Sequence, residues 1–507
     1  MIQFNYVSLK ILNMNNISKP RFLSAVSLII LITALVSLNS SVSEDFFINL
    51  QTFLSKYLGW MIILLANGFL IFSISLIFTK YKDIRLGGFD AKPSYSYTNW
   101  IAMLFSAGLG IGLLFYGVAE PIMHLNSYPG MIEGNISYNA GKAIGLANLH
   151  WGLHGWAIYS SLGLCFAYAS YNKNLPFRVS SLLGSKVSSN KNLAITIDVI
   201  AILTTVFGVT TSLGLGTVQI SAGLNHVFDI NESFFNQILI ITFITLIGLI
   251  SVSLGLDSGI KRLSQLNMVL AIGLLLFIFI LGPTIFIINA LIQNFGAYLN
   301  TLIQSATWTE VYDDSSWQNG WTLFYYAWWF AWAPFVSLFI ARISYGRTIK
   351  EFIIGVLFVP SLIVFIWMGV FGNAAIYQVI NETSQISEVV NNNLPVALFT
   401  LFDVYPIAQI LSVLSLVLIV TFFVTSSDSG ALVASMLSSR KQTDINDDSP
   451  ILSRITWAIL LGILAAVLLY AGGLTALQTS VVITGVPFAL IVVLACREFY
   501  FSLDKEK

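Results

Sequence analysis

The sequence predicts an all-α membrane protein of twelve transmembrane helices, from an extreme apolar composition, apolar runs of membrane-crossing length, and a regular alternation of basic residues between those runs. Of the 507 residues, 56% are apolar and 9% charged, and the mean hydropathy is +0.82. Soluble domains carry roughly a quarter charged residues, and their interiors cannot hide so much apolar surface. The 24 basic and 24 acidic residues cancel, so no net field points to nucleic acid or another polyanion. Cys165 and Cys496, the only cysteines, both lie inside apolar runs, which excludes a disulfide framework or a CxxC metal site.

A helix needs about 20 apolar residues to cross a hydrocarbon layer about 30 Å thick. Twelve segments meet that requirement: 22–42, 57–79, 97–124, 142–171, 194–227, 233–254, 264–295, 320–344, 349–372, 404–438, 452–471 and 475–497. The first follows Lys19, Pro20 and Arg21 and lacks a small-residue cleavage signature, so it reads as a retained span. Residues 263–309 carry no charge and could be miscounted as two spans, whereas 455–496 is one uncharged stretch that Ala471-Gly472-Gly473 should divide.

Cytoplasmic loops collect Lys and Arg. With twelve spans and a cytoplasmic N-terminus, 22 of the 24 basic residues fall inside, and only Lys56 and Lys142 remain outside. The expected location is the plasma (inner) membrane, with both termini cytoplasmic.

Function is expected where helices break their own rules, because irregular backbone at membrane depth must line a cavity. In the third span Gly108, Gly110 and Gly112 alternate. Glycine costs a helix about 1 kcal/mol relative to alanine, so the segment invites unwinding and close approach of a ligand. A packing face for a neighbouring helix is the plainer alternative. Glu120-Pro121 is read as a further distortion or an exit from the membrane.

The fourth and eighth spans hold Trp151, Trp156, Tyr159, Trp328, Trp329 and Trp332. Trp156 and Tyr159, like Trp329 and Trp332, are three apart and share a helix face. Facing aromatic surfaces make a cage for a cation without hydrogen-bond donors, each cation–π contact contributing about 0.5–2 kcal/mol. Quaternary ammonium is the natural guest; interfacial anchoring is the alternative. The tenth span ends in Thr425-Ser426-Ser427-Asp428-Ser429-Gly430, hard oxygen donors of the kind sodium takes, unless the hydroxyls only bond back to their own helix. His124, His150, His154 and His226 show no metal spacing near an acid, and the acid of an HExxH site is missing, so an enzyme is not expected. A channel is disfavoured because no ring of like charges lies within a span.

The segments MLFSAGLGIGLLFYGVAEPI (103–122), HWGLHGWAIYSSLGLCFAYASYNKNLPFRVSSLLG (150–184), TVFGVTTSLGLGTVQISAGLN (205–225), WTLFYYAWWFAWAPFVSLFIARISYGRTIKEF (321–352) and FFVTSSDSG (422–430) resemble the betaine/carnitine/choline transporter family. The likeness implies a leucine-transporter-type core of two inverted five-helix repeats after two N-terminal helices, usually assembled as a homotrimer. The corresponding division is 1–98, 99–300, 301–498 and a short tail, 499–507.

By position the resemblance implies an aromatic box of Trp151, Trp156, Tyr159 and Trp329, with Trp328, Trp332 and Phe115 close by. It implies a sodium site on the side chains of Thr425 and Ser426 and the backbone of Ser106, Leu109 and Phe422, with sodium as coupling ion and no organic cofactor. A second sodium site falls on Thr205 and Phe335, but its further threonine is Val209 here, so Thr210 or Ser212 would have to compensate. Choline-carrying members place an aspartate where this chain has Gly112, so the guest should bring its own carboxylate and be zwitterionic. The sodium-independent carnitine exchanger fills the sodium position with an arginine; that position is Met268 here. The resulting expectation is a sodium-coupled importer of glycine betaine, dimethylsulfoniopropionate or a similar onium solute, with sodium-independent exchange as the alternative. Osmotically activated members carry long charged termini; none is expected here.

Overall fold

A bilayer offers the backbone no hydrogen bonds, so each crossing segment must satisfy its own, and helix is the local solution. The computed structural model describes residues 16–38, 40–108, 110–254, 260–312, 315–440 and 449–504. Among the described residues the regular elements are helical, apart from two isolated β-bridges, Ile17 with Ser439 and Arg85 with Thr348.

The principal helices are α1 (Lys19–Leu38), α2 (Ser40–Ile77), α3 (Tyr97–Gly108), α4 (Ile111–Ser127), α5 (Ile136–Trp151), α6 (Leu153–Tyr171) and α7 (Lys191–Phe228). They continue with α8 (Phe234–Leu254), α9 (Ile260–Leu281), α10 (Thr284–Ala306), α11 (Thr322–Ile343), α12 (Ile349–Ile380), α13 (Ala408–Leu437) and α14 (Ile451–Leu503). Among the described residues, ten helices are long and apolar enough to cross a membrane. That number includes α10, takes α14 once, and leaves out the shorter α3 to α6.

Two boundaries depart from the sequence reading. The segment expected as one span over 264–295 is two helices, because Gly282-Pro283 ends α9 at Leu281 and α10 starts at Thr284. On α10 the apolar residues Ile285, Ile288, Ile292, Phe295, Leu299 and Ile303 are exposed, while Ile287, Asn294 and Tyr298 are buried, so the helix lies against the bundle by one face. The segment 142–171 is likewise broken, at Gly152 (φ −94, ψ −134). The last two expected spans are present as two helices joined across a kink in a run of 53 residues, divided as the sequence reading placed them. At 1.5 Å per residue that run would be about 80 Å long if straight, more than two hydrocarbon thicknesses. It bends where expected, at Gly472 (φ 174, ψ 20) and Gly473 (φ 56, ψ −133), the latter a left-handed conformation that suits glycine.

The core lies among α7, α14, α13, α11, α6 and α2, each packed against others of the group. At one end Arg21 Nε donates to Asp198 at 2.7 Å, and the Ser180 backbone N–H and hydroxyl donate to the same carboxylate at 2.9 Å each. This ties α1 and the segment after α6 to the start of α7.

Candidate functional site

The two helix breaks carry the site. α3 ends at Gly108 and α4 starts at Ile111, with Gly110 extended between (φ −166, ψ 179). The second break leaves Trp151 as the last residue of α5, facing α11. Two glycines make room for the tryptophans. A Cβ at Gly112 would stand 2.3 Å from the Trp151 ring and 3.2 Å from Trp328, and one at Gly155 would stand 2.2 Å from Trp329. Any side chain at either position would displace an indole.

A cavity of about 570 Å³ opens between these elements. Its lining includes Gly110, Gly112, Trp151, Trp156, Tyr159, Trp328, Trp329 and Trp332, eight of the residues that the sequence singled out for substrate. Trp329 is the hub: its ring centroid lies 4.8 Å from Tyr159, 5.7 Å from Trp156 and 6.2 Å from Trp151, at interplanar angles of 54°, 66° and 72°. The indole N–H of Trp329 donates to the His150 carbonyl at 2.7 Å, that of Trp332 to the Gly208 carbonyl at 2.8 Å, and that of Trp151 to Glu120 Oε2 at 2.7 Å. With these donors tied to protein, the walls offer π surface.

Phe422, Thr425, Ser426 and Phe335 line the same cavity, so hydroxyls and aromatic cage share one space. The Thr425 hydroxyl bonds back to the carbonyls of Thr421 and Phe422, each at 3.0 Å, and accepts from Asn267 Nδ2 at 3.2 Å. Phe115 is not part of the lining; it is buried against Tyr116, with ring centroids 4.7 Å apart. Nor does Thr205 face the cavity, its hydroxyl donating to the Ala201 carbonyl at 2.9 Å within α7. Ser106 and Gly108 belong to the end of α3, and Leu109 lies outside the described residues.

The family model for the betaine/carnitine/choline family of transporters matches residues 20–507. The chain belongs to this family. It is 40% identical to the glycine betaine transporter OpuD of Bacillus subtilis, over 95% of this chain and 94% of that protein. It is 39% identical to a glycine betaine transporter of Acinetobacter baylyi, over 95% of this chain and 72% of that protein. A glycine betaine/proline/choline transporter of Vibrio parahaemolyticus is 40% identical, over 93% of this chain and 87% of its own length. The chain is therefore a multi-pass membrane transporter and not an enzyme.

In this member of the betaine/carnitine/choline transporter family the fold also gathers polar residues near the cavity that the sequence reading gave another role or none. Pro121 does not end the helix: α4 runs through it to Ser127, and Glu120 is 0% exposed. The histidines, expected to have no acid at metal-like spacing, do meet one, since ligand atoms of Glu120, His124 and His150 lie within 4.8 Å of one another. An acidic residue in an apolar span is a functional signal by default, and Glu120 carried it in the sequence. Asn267 gave no such signal; only the packing of α9 against α13 brings it to Thr425.

Proposed function

We propose that this transporter carries glycine betaine or a closely similar zwitterionic onium solute into the cell, coupled to sodium. The single observation that carries the reading is the convergence of the aromatic cage and the Thr425 and Ser426 hydroxyls on one cavity. A trimethylammonium group has no N–H to donate, so it binds by cation–π contact and shape, which Trp151, Trp156, Tyr159 and Trp329 provide. The guest's carboxylate needs donors, and the indole N–H groups of Trp156 and Trp328 are buried without an acceptor. Gly112 in place of an acid agrees with a guest that balances its own charge.

The architecture that goes with this reading has twelve spans: α3 with α4 and α6 with α5 each count as one broken span, α14 counts as two, and α10 lies along the surface. The core is then two inverted repeats after α1 and α2, in a homotrimer. The cavity extends from the cage to Tyr95 and Arg342, toward the end where basic residues collect, so the conformation is inward-facing. On the other side Tyr116 packs against Trp151, Tyr325 and Trp321, with centroids 6.0, 5.4 and 6.3 Å away, and shuts the outward route.

Sodium-independent exchange is the second reading. Its support is Asn267, whose amide on Thr425 occupies an oxygen that a cation would use. Uptake of labelled glycine betaine into proteoliposomes, with sodium or potassium outside, tests both. An imposed sodium gradient should drive accumulation above equilibrium. Equal uptake in potassium, together with exchange against internal betaine, transfers the assignment to the second reading.

A further inference from the structure

We propose that Glu120 is a specificity-determining residue whose carboxylate, held directly behind Trp151, strengthens the attraction of the cage for a cationic guest. The inference rests on the onium-binding reading above and adds to it a charge outside the cavity wall. Glu120 is fully buried, and four groups converge on its two oxygens. Oε2 accepts from the Trp151 indole at 2.7 Å and the Tyr325 hydroxyl at 2.6 Å. Oε1 meets His150 Nδ1 at 2.7 Å and His124 Nε2 at 3.1 Å. These partners come from α4, α5 and α11; of these, α5 carries Trp151 of the cage and α11 carries Trp329.

An indole nitrogen can only donate, so the direction of the Trp151 bond follows from chemistry. His150 Nε2 faces the Thr322 hydroxyl at 2.9 Å. An imidazole that donates from Nδ1 to Glu120 and accepts at Nε2 from Thr322 satisfies both nitrogens of His150, and is compatible with a negative charge on the carboxylate.

A buried carboxylate is costly even when paired, and here its two oxygens meet groups of α4, α5 and α11 at once. What the charge adds is electrostatic. An N–H bonded to an anion is polarised, which pushes electron density into the indole ring and deepens the negative potential on its π face. The carboxylate also acts directly on the guest across a medium of low dielectric. Both effects act on a positive guest and vanish for a neutral group of the same shape. Trp329 differs from Trp151 here, since its indole bonds a neutral carbonyl.

The test compares glycine betaine with its carbon isostere 3,3-dimethylbutanoate, which keeps the carboxylate and shape but replaces N⁺ by carbon. Affinities are measured on purified wild type and Glu120→Gln. Wild type should prefer betaine; if it does not, the onium cage itself is wrong. Glu120→Gln should lower the betaine-to-isostere ratio about tenfold, with isostere affinity held within about threefold. An unchanged ratio, or an equal loss for both ligands, overturns the proposal and leaves Glu120 a purely structural link. Should that variant fail to fold, Trp151→Phe, which keeps a ring but has no N–H, must lower the ratio more than Trp329→Phe does. An equal or smaller effect overturns the proposal as well.

Discussion

Trp329 sits at the hub of the cage because Gly155 has no side chain to oppose it and because the His150 carbonyl takes its N–H. Replacing it by alanine removes contact surface facing three other rings without stranding a charge. Trp329→Ala should therefore weaken glycine betaine binding about 10- to 100-fold, about 1.4–2.8 kcal/mol, while the purified protein keeps its elution profile. Titration calorimetry against the wild type reads the loss, and unchanged affinity would remove Trp329 from the site. Gly112→Asp acts differently. Its Cβ would press on Trp151, 2.3 Å away, and its charge would repel a guest carboxylate. Betaine affinity should drop at least tenfold, whereas choline, which has no carboxylate, should lose less. The betaine-to-choline ratio, measured by competition, should fall; a ratio that rises would place residue 112 away from the guest's charged end.

At the scale of elements, helices that run uninterrupted were legible, and those that break were legible only in part. The alternating glycines announced the break between α3 and α4, and Gly472-Gly473 announced the bend of α14. The break at Gly152 carried no such signal, since a lone glycine in an apolar run is compatible with an unbroken helix. The end of α9 was missed because hydropathy cannot tell a spanning helix from an adjoining one that is buried along one face. Where elements meet, a few polar ties hold them. Asp198 is 0% exposed and accepts from Arg21 and from both Ser180 donors. Asp198→Ala leaves those donors without their acceptor and should destabilise the protein by about 3 kcal/mol. Its apparent melting temperature in detergent should be clearly lower than that of the wild type, and an unchanged value would reduce the tie to a surface contact.

For the whole molecule the decisive question is coupling. Thr425 and Ser426 lie on α13, while the glycine break lies between α3 and α4, and the cavity touches both. If sodium is bound there, it and the guest order the same junction, so each must raise the other's affinity by the same factor. Thr425→Ala combined with Ser426→Ala should abolish the sodium dependence of betaine binding and leave an affinity like that of the wild type in potassium. Retention of a sodium effect in the double variant would move the ion elsewhere, with Phe335 and its neighbours the next place to look.

The sequence by itself determined membrane residence, the order and approximate number of helices, and the residue types of a cage. Transfer free energy is a sum over local composition, and each helix satisfies its own backbone. Only the tertiary structure decided which of those residues meet. Trp151 reaches Trp329 through a helix break, and Phe115 turns to Tyr116 instead. Asn267 comes to Thr425 from another helix. Glu120 lies 205 positions before Tyr325, yet takes its hydroxyl at 2.6 Å. Such contacts follow from how glycines let helices approach and from where a buried carboxylate finds enough donors. Those are properties of the packed assembly, and a reading along one chain carries no term for them.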